Sequence, residues 1–206
     1  MISPLDRPVP KGFVRTCWRG VLVDHPSEWE PAMLSGPKQP AKCVLVDRRS
    51  QRLQVDWQEV ERSPDLDQMF QRLGKGKGKD KKDGPMPRPL SGVPGWTGIV
   101  VEEQDGPTVV RAGRHFPKVK TLVQVAVTWP GRRNRELERQ VLAGIRPLDG
   151  GDQRRWQAMG LSVDVPPGFE LDEAEHRVGH LRWQFVRPGR PRAGLMMERI
   201  AAPEHW

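Results

Sequence analysis

Tyrosine is absent from this chain of 206 residues, and cysteine occurs only as Cys17 and Cys43. Two thiols exclude a disulfide-dense scaffold. No stretch approaches the ~20 consecutive apolar residues that a membrane-crossing helix needs. Residues 1–13 lack the apolar core of a secretory signal, so a cytoplasmic protein with no membrane partner is expected. Catalytic signatures are missing as well: no serine nucleophile elbow, no paired-carboxylate constellation, no dinucleotide fingerprint. The Lys/Gly stretch at 74–84 lacks the G-x-x-x-x-G-K-S/T spacing and a strong preceding strand, which argues against a nucleotide site. These absences disfavour an enzyme and imply no cofactor.

Glycine and proline are in excess, at 21 each. Together they make about a fifth of the chain, where roughly 12% is usual. That stays below the level of a wholly disordered chain. A hydrophobic share of 36% over this length allows one or two modest cores. Lys and Arg number 34 against 26 Asp and Glu, for a net charge of +8 and a pI near 10.0.

The chain repeats itself. Gly20-Val21-Leu22-Val23-Asp24-His25-Pro26-Ser27-Glu28-Trp29-Glu30 and Gly160-Leu161-Ser162-Val163-Asp164-Val165-Pro166-Pro167-Gly168-Phe169-Glu170 align without a gap. Gly, Val, Asp, Pro and Glu coincide, Trp29 is answered by Phe169, and the numbers differ by 140 throughout. In each copy a β-rich run reaches a proline that cannot donate to a sheet ladder, so the strand stops there. The aromatic three residues later is then placed to fold back over the sheet. Asp24 and Asp164 at this corner are read as satisfying turn amides.

A strand pair is expected after each motif, 42–46 with 53–60 and 181–186 with 194–200. Leu53, Val55 and Trp57 alternate with Gln54, Asp56 and Gln58, and Leu181, Trp183 and Phe185 with Arg182 and Gln184. The first copy goes on to strands at 96–102 and 107–112 around a Gln104-Asp105-Gly106 turn. The strongest strand is 121–129, with Val123, Val125, Val127 and Trp129 on one face. Leu137, Val141, Leu142 and Ile145 then mark a helix over 135–145, with Gly144 and Pro147 as its stop. An insertion at 61–95 opens with a helix capped by Ser63 and Pro64 and continues through the low-complexity loop at 74–84.

The expected fold is therefore α+β: a mostly antiparallel sheet with a covering helix, internally duplicated with an incomplete second copy. Residues 1–148 form the complete unit and 149–206 the partial one. The last strand, 194–200, would leave an unprotected edge, so truncation or a swapped or complemented second unit is expected.

Charge is uneven. Residues 156–176 hold five acids and no Lys or Arg, whereas 177–199 hold six Arg and one Glu. Arg182, Arg187, Arg190 and Arg192, with Lys75, Lys77 and Lys79 of the Lys/Gly loop, are the candidate contacts for an anionic partner such as nucleic acid. The competing reading is a solvated face paired with the acidic stretch before it. His176 and His180, four apart beside Glu173, would share a helical face, but Gly179 interrupts that helix and no metal is expected. Cys17 and Cys43 lie in apolar runs and read as buried thiols. Trp29, Trp57, Trp129 and Trp183 read as core anchors, and Trp18, Trp96 and Trp156 as candidate interface aromatics.

The element order of the first copy resembles the Mog1/PsbP-like fold. The resemblance rests on Val23-Asp24-His25-Pro26-Ser27-Glu28-Trp29, the strand 122–129 and the helix 135–145. It covers 13–148 fully and 159–200 in part, and the insertion at 61–95 departs from the pattern. It implies a non-enzymatic accessory or assembly protein that binds another protein or a further copy of itself, and carries over no catalytic residue. The expected function is thus non-catalytic protein binding through sheet surface and edge strands. The alternative is a basic nucleic-acid-binding module using the hairpin 177–192 and the Lys/Gly loop.

Overall fold

The computed structural model describes residues 5, 7–74, 85–102, 106–150, 154–189 and 193–200. Lys75, Lys77, Lys79, Arg190 and Arg192 lie outside the described residues.

β-Branched and aromatic residues on both sides of Arg19-Gly20 make a hairpin of β1 (Phe13–Trp18) and β2 (Val21–Pro26). Arg19 and Gly20 both take positive φ, 46° and 76°, which gives the primed turn that suits the twist of the flanking strands. The corner at Pro26 closes with the Trp29 amide donating to the Pro26 carbonyl at 3.0 Å. A meander follows, β3 (Glu30–Leu34), β4 (Ala41–Val46) and β5 (Gln51–Glu59). The insertion supplies α1 (Leu66–Gly74) and the short β6 (Arg88–Pro89). Asp65, rather than Ser63, caps α1 by accepting from the Gln68 amide at 2.9 Å.

Next come β7 (Thr97–Glu102), β8 (Thr108–Phe116), β9 (Thr121–Trp129), α2 (Arg135–Gly144) and β10 (Ile145–Pro147). Asn134 caps α2, accepting from the Leu137 amide at 3.0 Å. The helix ends at Gly144, where an added Cβ would come within 2.8 Å of the Asp24 Cβ; only glycine permits that approach to β2. The chain finishes with the hairpin β11 (Arg155–Ala158) and β12 (Leu161–Asp164) and the meander β13 (Glu170–Arg177), β14 (His180–Arg187) and β15 (Ala193–Ile200).

Among the described residues three antiparallel sheets result, ordered β10-β2-β1-β11-β12, β3-β4-β5-β9-β8-β7-β6 and β13-β14-β15. One apolar cluster joins all three, taking in Trp18, Val55, Val125, Leu142, Trp156 and Trp183. Residues 155–164 extend the first sheet through β1, so this later stretch shares the core of the earlier one. α2 packs on β2, and α1 covers the far side of β7 and β8, with Phe70 against Gly113. No helix among the described residues is long and apolar enough to cross a membrane.

The numbering offset of 140 has a geometric counterpart. Met159 and Gly160 repeat the primed turn, with φ of 51° and 75°. The Phe169 amide donates to the Pro166 carbonyl at 3.4 Å, as Trp29 does to Pro26. Glu30 pairs with Val46 and Leu34 with Cys43; Glu170 pairs with Val186 and Ala174 with Trp183. Both meanders carry a bulge at the same place, between Pro31 and Met33 and between Leu171 and Glu173. The last hairpins differ by two residues. Cys43 faces Val55 and Leu45 faces Leu53, whereas Trp183 faces Met197 and Phe185 faces Leu195.

Candidate protein interface

The β13-β14-β15 sheet stands on an aromatic seam. Trp18 at the end of β1 meets Trp156 of β11 at 5.0 Å between ring centroids and Trp183 of β14 at 5.3 Å, and Trp156 meets Phe185 at 5.0 Å. All three contacts are edge-to-face, the geometry that ring quadrupoles favour. The indole of Trp18 donates to the Ser35 carbonyl at 2.9 Å, and that of Trp183 donates to His176 Nε2 at 3.1 Å. His176 therefore carries its proton on Nδ1, and burial holds its pKa below the ordinary histidine value.

This seam corrects the expectation for the tryptophans. Trp18, Trp96 and Trp156 are exposed by only 0%, 1% and 8%, so they are core residues and not surface aromatics. Strand alternation turns Trp156 inward from β11, Trp18 ends β1 in the core, and these two fasten one sheet to another; Trp96 is buried just ahead of β7. His176 and His180 are likewise not on a helix. They sit on β13 and β14 either side of the Val178-Gly179 turn, and His180 pairs with Glu198 at 2.6 Å instead of converging with His176. Among the described residues no three His, Cys, Asp or Glu gather as metal ligands. Both cysteines are buried, and burial pushes the Cys43 thiol up to about 12.

The corner aspartates take guanidinium groups rather than turn amides. Arg15 grips Asp24 with Nε at 2.7 Å and Nη2 at 3.1 Å, and Arg146 adds Nη2 at 3.2 Å. Arg155 grips Asp164 in the same two-pronged way, and those bonds hold the Asp164 carboxyl below its usual range. An arginine nine residues before each aspartate was visible in the sequence as a further element of the repeat. Alternation alone does not show that it lies directly across a hairpin.

The described arginines of the second meander are mostly engaged within the protein. Arg182 reaches Glu175 at 3.1 Å and Glu173 at 3.4 Å, Arg177 reaches Glu175 at 2.5 Å, and Arg187 lies 5.7 Å over the Phe169 ring. Arginines gather elsewhere instead. A cleft of about 460 Å³ at the start of α2 is lined by Arg88, Arg133, Arg135 and Arg139. Arg133 is committed to the buried Glu138 at 2.6 Å, and Arg139 to Glu136.

The most open feature is β15. Its register runs along β14 from Ala193 to Ile200, and no strand among the described residues lies on its other side. In the first meander the corresponding edge of β5 is covered by β9, which sets Val127 opposite Leu53, Val125 opposite Val55 and Val123 opposite Trp57. The consequence shows in burial. Leu53 and Val55 are wholly buried, while their counterparts Leu195 and Met197 are only half-buried. Apolar side chains also stand in solvent around this sheet: Val178 at 95%, Ile200 at 71% and Met196 at 61% exposure. Clefts of about 550 and 160 Å³ meet at its Ile200 end and share Met159, Arg177 and Arg199.

No family model matches the chain, and no curated protein matches it in sequence. Among solved structures, a crystal structure from Bacteroides thetaiotaomicron VPI-5482 at 1.50 Å aligns with 9% identity and a TM-score of 0.40. The alignment covers 65% of this chain and 47% of the other, so this chain spans about half the length of that one.

Proposed function

We propose that the chain is a non-catalytic protein-binding or assembly protein that works through sheet surface and edge strands. The observation that carries this reading is the β15 edge: a strand with apolar side chains on both faces, left open among the described residues where its counterpart β5 is covered. The recurrence of hairpin, arginine–aspartate brace, proline corner and bulge at one offset supports an origin by internal duplication. In that account 149–206 is a second copy without counterparts to β6–β10 and α2 among the described residues. The resemblance to the Mog1/PsbP-like fold, whose members mostly bind partner proteins, points the same way.

The test compares the wild-type protein with a Met196→Lys/Ile200→Lys variant as baits, each washed at low and high salt. A protein retained by the wild type at both salts and lost from the variant supports the reading. Equal retention by both baits overturns it.

The arginine cleft favours a second reading, an anionic partner such as nucleic acid, through a surface other than the 177–192 hairpin. Arg88 and Arg135 make no ion pair among the described residues. Binding to DNA or RNA would then fall steeply with salt, and Arg88→Ala/Arg135→Ala would lower the slope.

A further inference from the structure

The register of β5 against β9 specifies what the β15 edge accepts. Matching each meander through its hairpin partners sets Leu195 in the place of Leu53, Met196 of Gln54, Met197 of Val55, Glu198 of Asp56 and Arg199 of Trp57. β9 presents Val123, Gln124, Val125, Ala126 and Val127 opposite Trp57, Asp56, Val55, Gln54 and Leu53. Two features would therefore carry over and two would change. Positions opposite Leu195 and Met197 remain apolar, because those side chains are half-buried and lack the cover that Val127 and Val125 give in the first meander. The position opposite Arg199 changes from apolar to acidic, since an exposed guanidinium replaces an indole. Glu198 uses Oε1 on His180 at 2.6 Å, and the position opposite it on the other side still favours a cation over an anion, because cross-strand neighbours of opposite charge attract and like charges repel.

We propose that the open edge of β15 receives an extended, antiparallel segment of another protein with the pattern acidic, basic, apolar, any residue, apolar. This rests on the protein-binding reading above and deepens it by naming the kind of partner. Main-chain hydrogen bonds to the side of β15 that no described strand occupies supply affinity common to any strand, and the charged pair with the two apolar side chains supplies register and selectivity. Arg199 is held in place for this contact by donating from its guanidinium to the Met159 carbonyl in the β11–β12 turn. A one-residue slip of the incoming strand would turn its apolar residues to the solvent face, so the pattern discriminates register as well as composition.

The probe is a synthetic peptide of the β9 sequence Thr121–Trp129, flanked by lysines for solubility, with Val123→Glu and Gln124→Lys. Its control carries the same two charges exchanged, Val123→Lys and Gln124→Glu. Binding to the whole protein is followed by fluorescence anisotropy, and amide hydrogen exchange locates the contact. The matched peptide is expected to bind at least about fivefold more tightly than the control, as two cross-strand charge contacts at ~0.5 kcal/mol each predict. It should also slow exchange across 193–200.

Equal affinity of the two peptides overturns the proposed pattern. So does unchanged exchange across 193–200 at saturation. A protein that dimerises on its own, with 193–200 already protected in a concentration-dependent way, overturns the proposed occupant in favour of a second copy. Peptide failure combined with edge-dependent capture of a partner leaves the protein-binding reading standing and sinks only the strand-addition form.

Discussion

Asp24 and Asp164 hold the same arginine grip across the same hairpin, yet their surroundings differ. The Asp24 side chain is 2% exposed and the Asp164 side chain 60%. A buried carboxylate facing Arg15 and Arg146 leaves two desolvated cations behind when it is removed, whereas an exposed pair is screened by water. Asp24→Asn is therefore expected to destabilise the protein by about 3–5 kcal/mol, and Asp164→Asn by less than about 1 kcal/mol. Urea unfolding of the two variants checks this, and equal losses would refute it. Both aspartates, and an arginine nine residues before each, were legible in the sequence as repeated residues, but their pairing was not. Period-two alternation assigns a residue to a face without saying which residue stands across the ladder.

At the scale of elements, the join between α2 and the first sheet depends on Gly144. An alanine methyl there would meet Asp24 at 2.8 Å from its Cβ and 3.0 Å from its carbonyl oxygen, so helix and strand must separate. Gly144→Ala is expected to cost about 1–3 kcal/mol as overpacking. Gly131→Ala, where nothing lies within 4 Å, serves as the neutral control in thermal unfolding. Comparable melting temperatures for the two variants would show that the close approach does not matter. The helix itself was readable from Leu137, Val141, Leu142 and Ile145, since an apolar stripe at helical spacing needs only local information. The role of Gly144 as a contact surface, rather than only a stop, depends on where β2 lies. The cap of α1 was misplaced by two residues for a related reason: Ser63-Pro64 and Asp65 are both good starts, and geometry selected Asp65.

Across the whole molecule, the buried His25 and the half-buried His176 link stability to pH. His25 donates from Nδ1 to the Pro26 carbonyl at 3.0 Å and accepts at Nε2 from the Thr16 hydroxyl at 2.9 Å, and His176 accepts the Trp183 indole in the aromatic seam. Burial lowers the pKa of both, so the fold favours their neutral forms. As pH falls below about 6.5, the unfolded chain takes up protons that the folded chain refuses, and stability falls until the depressed folded values are passed. Above about pH 7 this contribution is fully present. Urea midpoints at pH 7.5 and 5.5 are expected to show the loss at the lower pH, smaller in His176→Gln. A midpoint that is unchanged or higher at pH 5.5 would refute it.

The sequence by itself determined the local elements and their recurrence. Alternation at Leu53–Trp57, Leu181–Phe185 and Val123–Trp129, and the Val-Asp-x-Pro corner at a 140-residue offset, are properties of short segments. Burial of apolar side chains and proline's missing donor act on such segments directly. Only the tertiary structure decided which tryptophans are seams, because Trp18 and Trp156 meet across 138 residues of chain. It also decided that Arg177 and Arg182 answer the neighbouring acids, and that β5 has a covering strand where β15 has none among the described residues. Those outcomes depend on which strands become neighbours, and strand order is set by long-range packing.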